Sequence, residues 1–380
     1  MIARTIRIGD VITLVRKPVL IDPNANYRYI GIRSFGKGLI HYPPTAGDKL
    51  SKLRYFELPT DALVLSNIKA WEGAITVSTE RDSEHIASNR FLSYLPVNAE
   101  EVDTRYLSYY FLSQAGLPLI ERASPGAADR NRTLGIEAFE NLKIRLPDIH
   151  EQRRIAARLD HLLERRYKAS ERAKRAARVV KAVHSAVCRV HGPMERVGQK
   201  LTLVRNAISV DIATMYRQIG IYSFGKGIIR YDPIPGAALS KLRYFEVPTG
   251  ALLLSNIQAW EGAIALSTEA DNDFIASNRF LSYIPVSADV NVNYLRYFFL
   301  SDSGHPLIQQ ASPGTMVRNR TLGIKAFENL KIPLPDIAAQ LRIGSLLDRA
   351  YDVLRRIEAR EKLLDALVAS VLNQAFRGLA

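Results

Sequence analysis

The sequence predicts an α+β chain: two mixed α/β globules, related by an approximate two-fold axis, separated by an antiparallel coiled coil of two long helices. Three observations predict it. RIGDVITLVR at Arg7 to Arg16 is answered by RVGQKLTLVR at Arg196 to Arg205, so a domain-sized stretch is written twice. Each copy carries short β-prone runs broken by Gly, Pro, Asn and Asp, and then a proline-free stretch that keeps seven-residue time.

The repeat sets the boundaries. Its offset of 189 holds without a gap through LSKLRYFE, LSNI, AWEGAI and ASNRFLSY, and drops to 188 before ASPG, RNRTLGI, AFENLKI and LPDI. Roughly two-thirds of positions between Thr13 and Val97 recur, and the period is too long for a solenoid, so each copy is a whole domain plus a tail. The expected domains are residues 1–148, a central helix over 149–190, a second globule over 191–336 and a C-terminal helix over 337–380.

Within a globule, YRYIGI, ALVLSNI, AITVST and RFLSYLPV read as strands of a curved sheet. YLSYYFLSQAG, from Tyr106 to Gly116, has aromatics and leucines at helical spacing and predicts a helix closed by its glycine. NLKIRLP reads as a last strand ending at Pro147. In the C-terminal stretch Ile343, Ala350, Ile357, Leu364 and Val371 form one heptad series, and Leu347, Leu354, Val368 and Ala375 a second, interrupted by Glu361. In the central stretch Ile155, Leu162, Ala169, Ala176 and Val183 run beside Leu159, Ala173, Val180 and Val187, interrupted by Arg166. Each stretch would reach about 60 Å as one helix, longer than its own globule needs, so the two most simply pair with each other. An amphipathic helix folded onto its own domain is the alternative.

Composition narrows the partner. The 380 residues hold 52 Lys and Arg against 38 Asp and Glu, a formal charge of +14 that favours a polyanion such as nucleic acid. The single cysteine, Cys188, excludes an internal disulfide and fits a reducing cytoplasm. The opening residues lack the apolar core of a signal peptide, and no stretch approaches eighteen uninterrupted apolar residues, so no membrane partner is expected.

Motifs for catalysis are scarce. SFGKG, at Ser34 to Gly38 and again at Ser223 to Gly227, approaches a phosphate-binding loop. However, Gly38 and Gly227 stand where Ser or Thr would hold magnesium, and β-prone residues follow where a helix should begin. A turn is the better account. YPPT at Tyr42 lacks the asparagine of an amino-methyltransferase motif, and the seven histidines do not cluster, so no metal or cofactor is expected on this chain.

Polar residues shared by the copies are the candidate DNA contacts: Lys37 and Lys226, Lys52 and Lys241, Arg54 and Arg243, Arg90 and Arg279, with Lys69 in the first copy only. The triplets Arg130-Asn131-Arg132 and Arg318-Asn319-Arg320 after S-P-G are the strongest of these, since Arg and Asn side chains can pair bidentately with base edges. Each lysine could equally be a solvated surface residue, and Arg90 and Arg279 could be buried structural arginines. Trp71 and Trp260 in AWEGAI read as core rather than base-stacking residues. The central stretch carries twelve Lys and Arg between Glu151 and Arg189 against four acidic residues, which suits a helix crossing DNA between half-sites.

The segment Gly126 to Ile155, reading G-x-x-x-x-N-R-T-L-G-I-E-A-F-E-N-L-K-I-R-L-P-D-I-H-E-Q-R-R-I, resembles the end of a target recognition domain entering its spacer helix in the specificity subunit of type I restriction-modification systems. Gly314 to Ile343 repeats most of it, and the similarity covers essentially the whole chain. Asp148 and Asp336 depart from a common second proline, and Ala338-Ala339-Gln340-Leu341 loosens the E-Q-R-R pattern. The resemblance implies a subunit without catalysis of its own. It would bind double-stranded DNA through two target recognition domains and dock two modification subunits, with a restriction subunit as an optional further partner. S-adenosylmethionine, ATP and magnesium would then belong to those partners. Two other classes compete: a self-contained methyltransferase or nuclease with a divergent site, and a DNA-binding repressor or architectural protein acting by occupancy.

Overall fold

The computed structural model describes residues 3–126, 132–314 and 320–378. By packing, the chain divides into two compact units: Met1–Glu171 with Arg360–Ala380, and Arg172–Ala359.

In the first unit the chain's first strand meets its last. Arg4–Arg7 pairs antiparallel with Lys143–Leu146, placing Ile6 beside Ile144, and the alternation in KIRL buries Ile144 and Leu146. A four-stranded antiparallel sheet follows in the order Ile12–Val15, Phe91–Pro96, Leu63–Ser66, Ile75–Val77. A mixed sheet runs Pro18–Val19, Tyr55–Glu57, His85–Ser88, Asn26–Ile32, Leu39–His41, its one parallel pair being His85–Ser88 with Asn26–Ile32. The run LVLS at 63–66 is buried throughout because both its faces are covered. Leu63 and Leu65 join the core under the helices, while Val64 joins a second core with Ile30, Leu58 and Ala87.

The second unit repeats this plan. Met194–Arg196 pairs with Lys331–Pro333. The antiparallel sheet is Leu201–Val204, Phe280–Pro285, Leu252–Ser255, Ile264–Leu266. Met215–Ile221 with Phe274–Ser277 is again the parallel pair of the mixed sheet.

The helix expected over Tyr106 to Gly116 is observed at Thr104–Leu112, capped by Asp103, whose carboxylate accepts from the Arg105 and Tyr106 amides. It ends four residues before the glycine. Gly116 instead precedes a second short helix, Leu117–Arg122, and a Cβ there would stand 2.1 Å from the Tyr110 carbonyl oxygen, so close backbone approach is what requires glycine.

Both long stretches are continuous helices, Ile149–Val187 and Ile337–Ala375. The heptad positions described above are buried or half-buried, while off-seam Leu346, Val353, Leu363 and Leu367 stay exposed. The pairing is antiparallel within each unit. In the first, Arg166 interrupts the seam but bonds Asp365 across it at 2.5 Å, and Ile155 and Leu159 share a core with Val371 and Ala375. In the second, Cys188 packs with Leu347 and His184 meets Tyr351.

A buried glutamine locks each helix start to its globule. The Gln152 amide donates to the carbonyls of Glu101 and Pro147, both at 2.9 Å, and its oxygen accepts from the Asp103 amide at 3.0 Å. Gln340 does the same with Asp289, Pro335 and Asn291. Both side chains are fully buried, so each amide depends on these backbone groups for its hydrogen bonds. Asp103 and Asn291 are themselves the caps of the helices Thr104–Leu112 and Val292–Leu300, so one side chain ties together loop, strand end and cap.

The two junctions differ in one place. Phe376, fully buried, plugs the first unit edge-on to Tyr106 and Tyr110. Its counterpart in the second is Cys188, whose thiol burial pushes up to about 12 and leaves inert. One turn earlier stands His184, where the first unit has Leu372. The Tyr297 carbonyl can only accept, so Nε2 carries the proton and donates to it at 2.8 Å, while Nδ1 accepts from the Tyr351 hydroxyl at 2.7 Å. This arrangement is complete for the neutral ring. Burial therefore lowers its pKa below 6.5, with the Tyr297 carbonyl pulling the other way. The unfolded chain takes up this proton first, so the stabilisation is whole above about pH 6.5 and is lost as pH falls below it. Unfolding of the second unit, followed through Trp260, should show stability declining from pH 7 to 5. His184→Leu should flatten that slope, and an unchanged slope would remove His184 as its source.

Candidate nucleic-acid interface

SFGKG is a turn that leads into the strand Leu39–His41, not a helix. Phe35 and Gly36 have φ of 63° each, two successive left-handed residues. The left-handed backbone favours glycine at Gly36, where a Cβ would stand 2.8 Å from the tip of the Leu112 side chain. The turn is fastened to the AWEG segment: the Phe35 amide donates to the Glu72 carbonyl at 2.9 Å, the Gly36 amide to the Gly73 carbonyl at 2.8 Å, and the Ser34 hydroxyl to the Glu72 carboxylate at 2.7 Å. In the second copy Phe224, Gly225 and Ser223 make the same three bonds to Glu261, Gly262 and the Glu261 carboxylate at 2.9, 2.8 and 3.0 Å.

From there backbone bonds stitch the remaining candidates together. The Asn89 amide donates to the Arg54 carbonyl, the Asn67 amide to the Arg90 carbonyl, and the Leu134 amide to the Asn67 carbonyl, at 2.8, 2.8 and 2.7 Å. Asn278 to Arg243, Asn256 to Arg279 and Leu322 to Asn256 repeat the series at the same distances. Segments far apart in sequence thus form one lattice per unit, carrying Lys37, Lys69, Arg54, Arg90 and Arg132 in the first and Lys226, Arg243, Arg279 and Arg320 in the second. Lys52 and Lys241 precede the lattice by two residues. The node asparagines, 67, 89, 256 and 278, each hold a buried Oδ1 with no protein donor among the described residues.

The side chains separate the candidates. Lys37, Lys52, Arg54, Arg90 and their partners Lys226, Lys241, Arg243 and Arg279 are all exposed, so Arg90 and Arg279 are not buried structural arginines. Lys69 is committed: it bonds both Glu72 oxygens at 2.9 and 2.8 Å, and with Ser34 holds that carboxyl below its ordinary range. Gln258 replaces it in the second copy. Arg132 and Arg320 lie over the rings of Trp71 and Trp260, with Cζ 5.2 and 5.0 Å from the centroids, and each Nε donates to a backbone carbonyl, Gly126 or Gly314. The tryptophans are half-buried platforms for these guanidinium planes and not core residues as their setting in AWEGAI suggested. Arg130, Asn131, Arg318 and Asn319 lie outside the described residues.

The copies differ beside this lattice. His41 bonds Asp82 at 2.6 Å where Arg230 bonds Asp271 at 2.8 Å. Burial opposes ionisation of Asp82, yet the bonds from His41 and Thr79 outweigh it and lower its pKa. Among the described residues no group of three His, Cys, Asp or Glu could hold a metal ion, and no helix is long and apolar enough to cross a membrane.

The family described as type I restriction modification DNA specificity domain matches residues 4–175 and 238–365. The chain belongs to this family. The match spans the whole of the first lattice and, in the second, the residues from 238 onward, and the work of this family is DNA sequence recognition. The fold agrees. An S subunit of a type I restriction-modification system from M. genitalium superposes with a TM-score of 0.59 at 12% identity, covering 100% of this chain and 97% of that one. A chain solved in work on complex assembly and conformational transition of the type I system gives 0.58 at 19% identity, covering 100% and 98%. No match was found among curated protein sequences.

Among the described residues Lys37 and Lys226 form no ion pair and lie over the rings of Phe35 and Phe224 at 5.6 and 5.8 Å. Replacing either with alanine should weaken DNA binding about equally on all sequences and reduce the slope of log K against log salt by about one. Arg132→Ala or Arg320→Ala should instead relax base preference at one position by about 1–3 kcal/mol, read by competition binding with single-base variants of the site. A uniform loss from the arginine variants would assign them to phosphate.

Proposed function

We propose that this chain is the non-catalytic reading subunit of a type I restriction-modification complex. It holds a bipartite DNA site with its two lattices while two modification subunits, carrying S-adenosylmethionine, methylate adenine; a restriction subunit with ATP and magnesium completes the complex where one exists. The contact residues are those of the lattices, with Arg132 and Arg320 reading bases and Lys37, Lys52, Arg54, Arg90 and their counterparts meeting phosphate.

The observation that carries this reading is that the backbone bonds of the two lattices repeat in pattern and agree in length within a few tenths of an ångström. Two equal readers select equal half-sites, so the target is an interrupted palindrome, each half spanning about three to five base pairs with centres about one helical turn apart. The long helices divide the remaining work. The central helix exposes mostly basic side chains and suits the phosphates between half-sites. The C-terminal helix leaves Leu346 and Val353 exposed one heptad apart in the second unit, and Leu363 and Leu367 exposed one turn apart in the first, each pair suited to a protein partner.

Single-molecule methylome sequencing of the host should return one interrupted palindrome methylated on adenine. Two unrelated half-sites would refute equal reading. Purified chain assayed alone with S-adenosylmethionine should transfer no methyl group to DNA and should gain transfer on adding modification subunits; turnover by the chain alone would refute the non-catalytic assignment.

A further inference from the structure

Phe35 and Phe224 are each 73% exposed, at the tip of the same braced turn in each unit. For a bulky residue a positive φ is an outlier, and such strain persists only where the surroundings impose it. Here the bonds to Glu72 and Gly73, or Glu261 and Gly262, impose it twice over. The fold thus spends backbone strain to hold a phenyl ring away from its own core.

We propose that Phe35 and Phe224 are wedges that enter the base stack of bound duplex DNA, one in each half-site. This rests on the DNA-reading role proposed above. The turn itself adds no apolar neighbour to the ring, since Ser34, Gly36, Lys37 and Gly38 are small or charged. A base step suits a lone ring. It needs one rigid apolar plane between bases, with cations beside it for the flanking phosphates. Lys37 and Lys226 supply one cation each, over the rings of Phe35 and Phe224. The turn is ordered before DNA arrives, so little entropy is lost on insertion.

The test uses the whole chain with its modification subunits and target duplexes carrying 2-aminopurine at successive steps. Wild type should raise fluorescence at one step in each half-site, apart from the methylated adenine. Phe35→Ala should abolish the signal in one half-site and Phe224→Ala in the other, each weakening binding about tenfold or more, with the salt slope unchanged. Phe35→Leu, still an apolar wedge, should keep part of the signal. Phe35→Gly removes the backbone strain with the ring, so it should lose the signal while remaining at least as stable to heat.

Wild type that binds its target without brightening any step beyond the methylated adenine would overturn the wedge and leave the reading role standing. Variants that bind DNA as wild type does but lose the modification subunits would make the ring a protein anchor and overturn it equally. A wild-type complex that binds no duplex would sink both proposals.

Discussion

One buried amide in each unit fixes how a DNA-reading globule is carried by its helix. Gln152 and Gln340 are each satisfied by two carbonyls and one amide drawn from a loop, a strand end and a helix cap. A side chain with one acceptor and two donors in use at full burial leaves the junction little freedom to swing, since any swing strands several polar groups away from water. The aromatic plug at Phe376 and the His184–Tyr351–Tyr297 contacts then fill the space alongside.

That rigidity matters because DNA offers its half-sites at fixed spacing and phase. A reader on a loose mount would lose affinity to ordering, while one on a stiff mount selects by geometry as well as by contact. The same reasoning reaches the lattice. Its node segments are bonded through backbone atoms, so Arg54, Arg90, Arg132 and Lys37 are placed by main chain and only their side chains are left to adjust. The stack of Arg132 on Trp71 limits even that adjustment, as the base-reading role proposed for it would require.

Much of this was legible in the sequence because duplication supplied a second witness for each feature. The repeat offset, the heptad series and the KIRLP strand each place an element where the structure has it. Other features were hidden for physical reasons. Helix Thr104–Leu112 ends before Gly116 because that glycine serves a close backbone approach to Tyr110, a contact that periodicity does not encode. Trp71 looked like core because tryptophan usually is; its partner Arg132 lies 61 residues away, and only the fold brings them together. Lys69 reads as a free cation until Glu72 is seen to hold it. Phe35 carried a usable signal, an aromatic between serine and glycine in a segment repeated without change, but its left-handed backbone belongs to the structure alone.

The clamp can be tested directly. Gln152→Met and Gln340→Met keep most of the side-chain volume and remove every hydrogen bond, and each unit holds one tryptophan, Trp71 or Trp260, to report its own unfolding. Losing these three hydrogen bonds around a fully buried side chain should cost the affected unit about 2 kcal/mol in denaturant unfolding, with Gln152→Met acting on the first unit and Gln340→Met on the second. Midpoints unchanged from wild type in both variants would contradict the account and leave the mounting of the two readers without its cause.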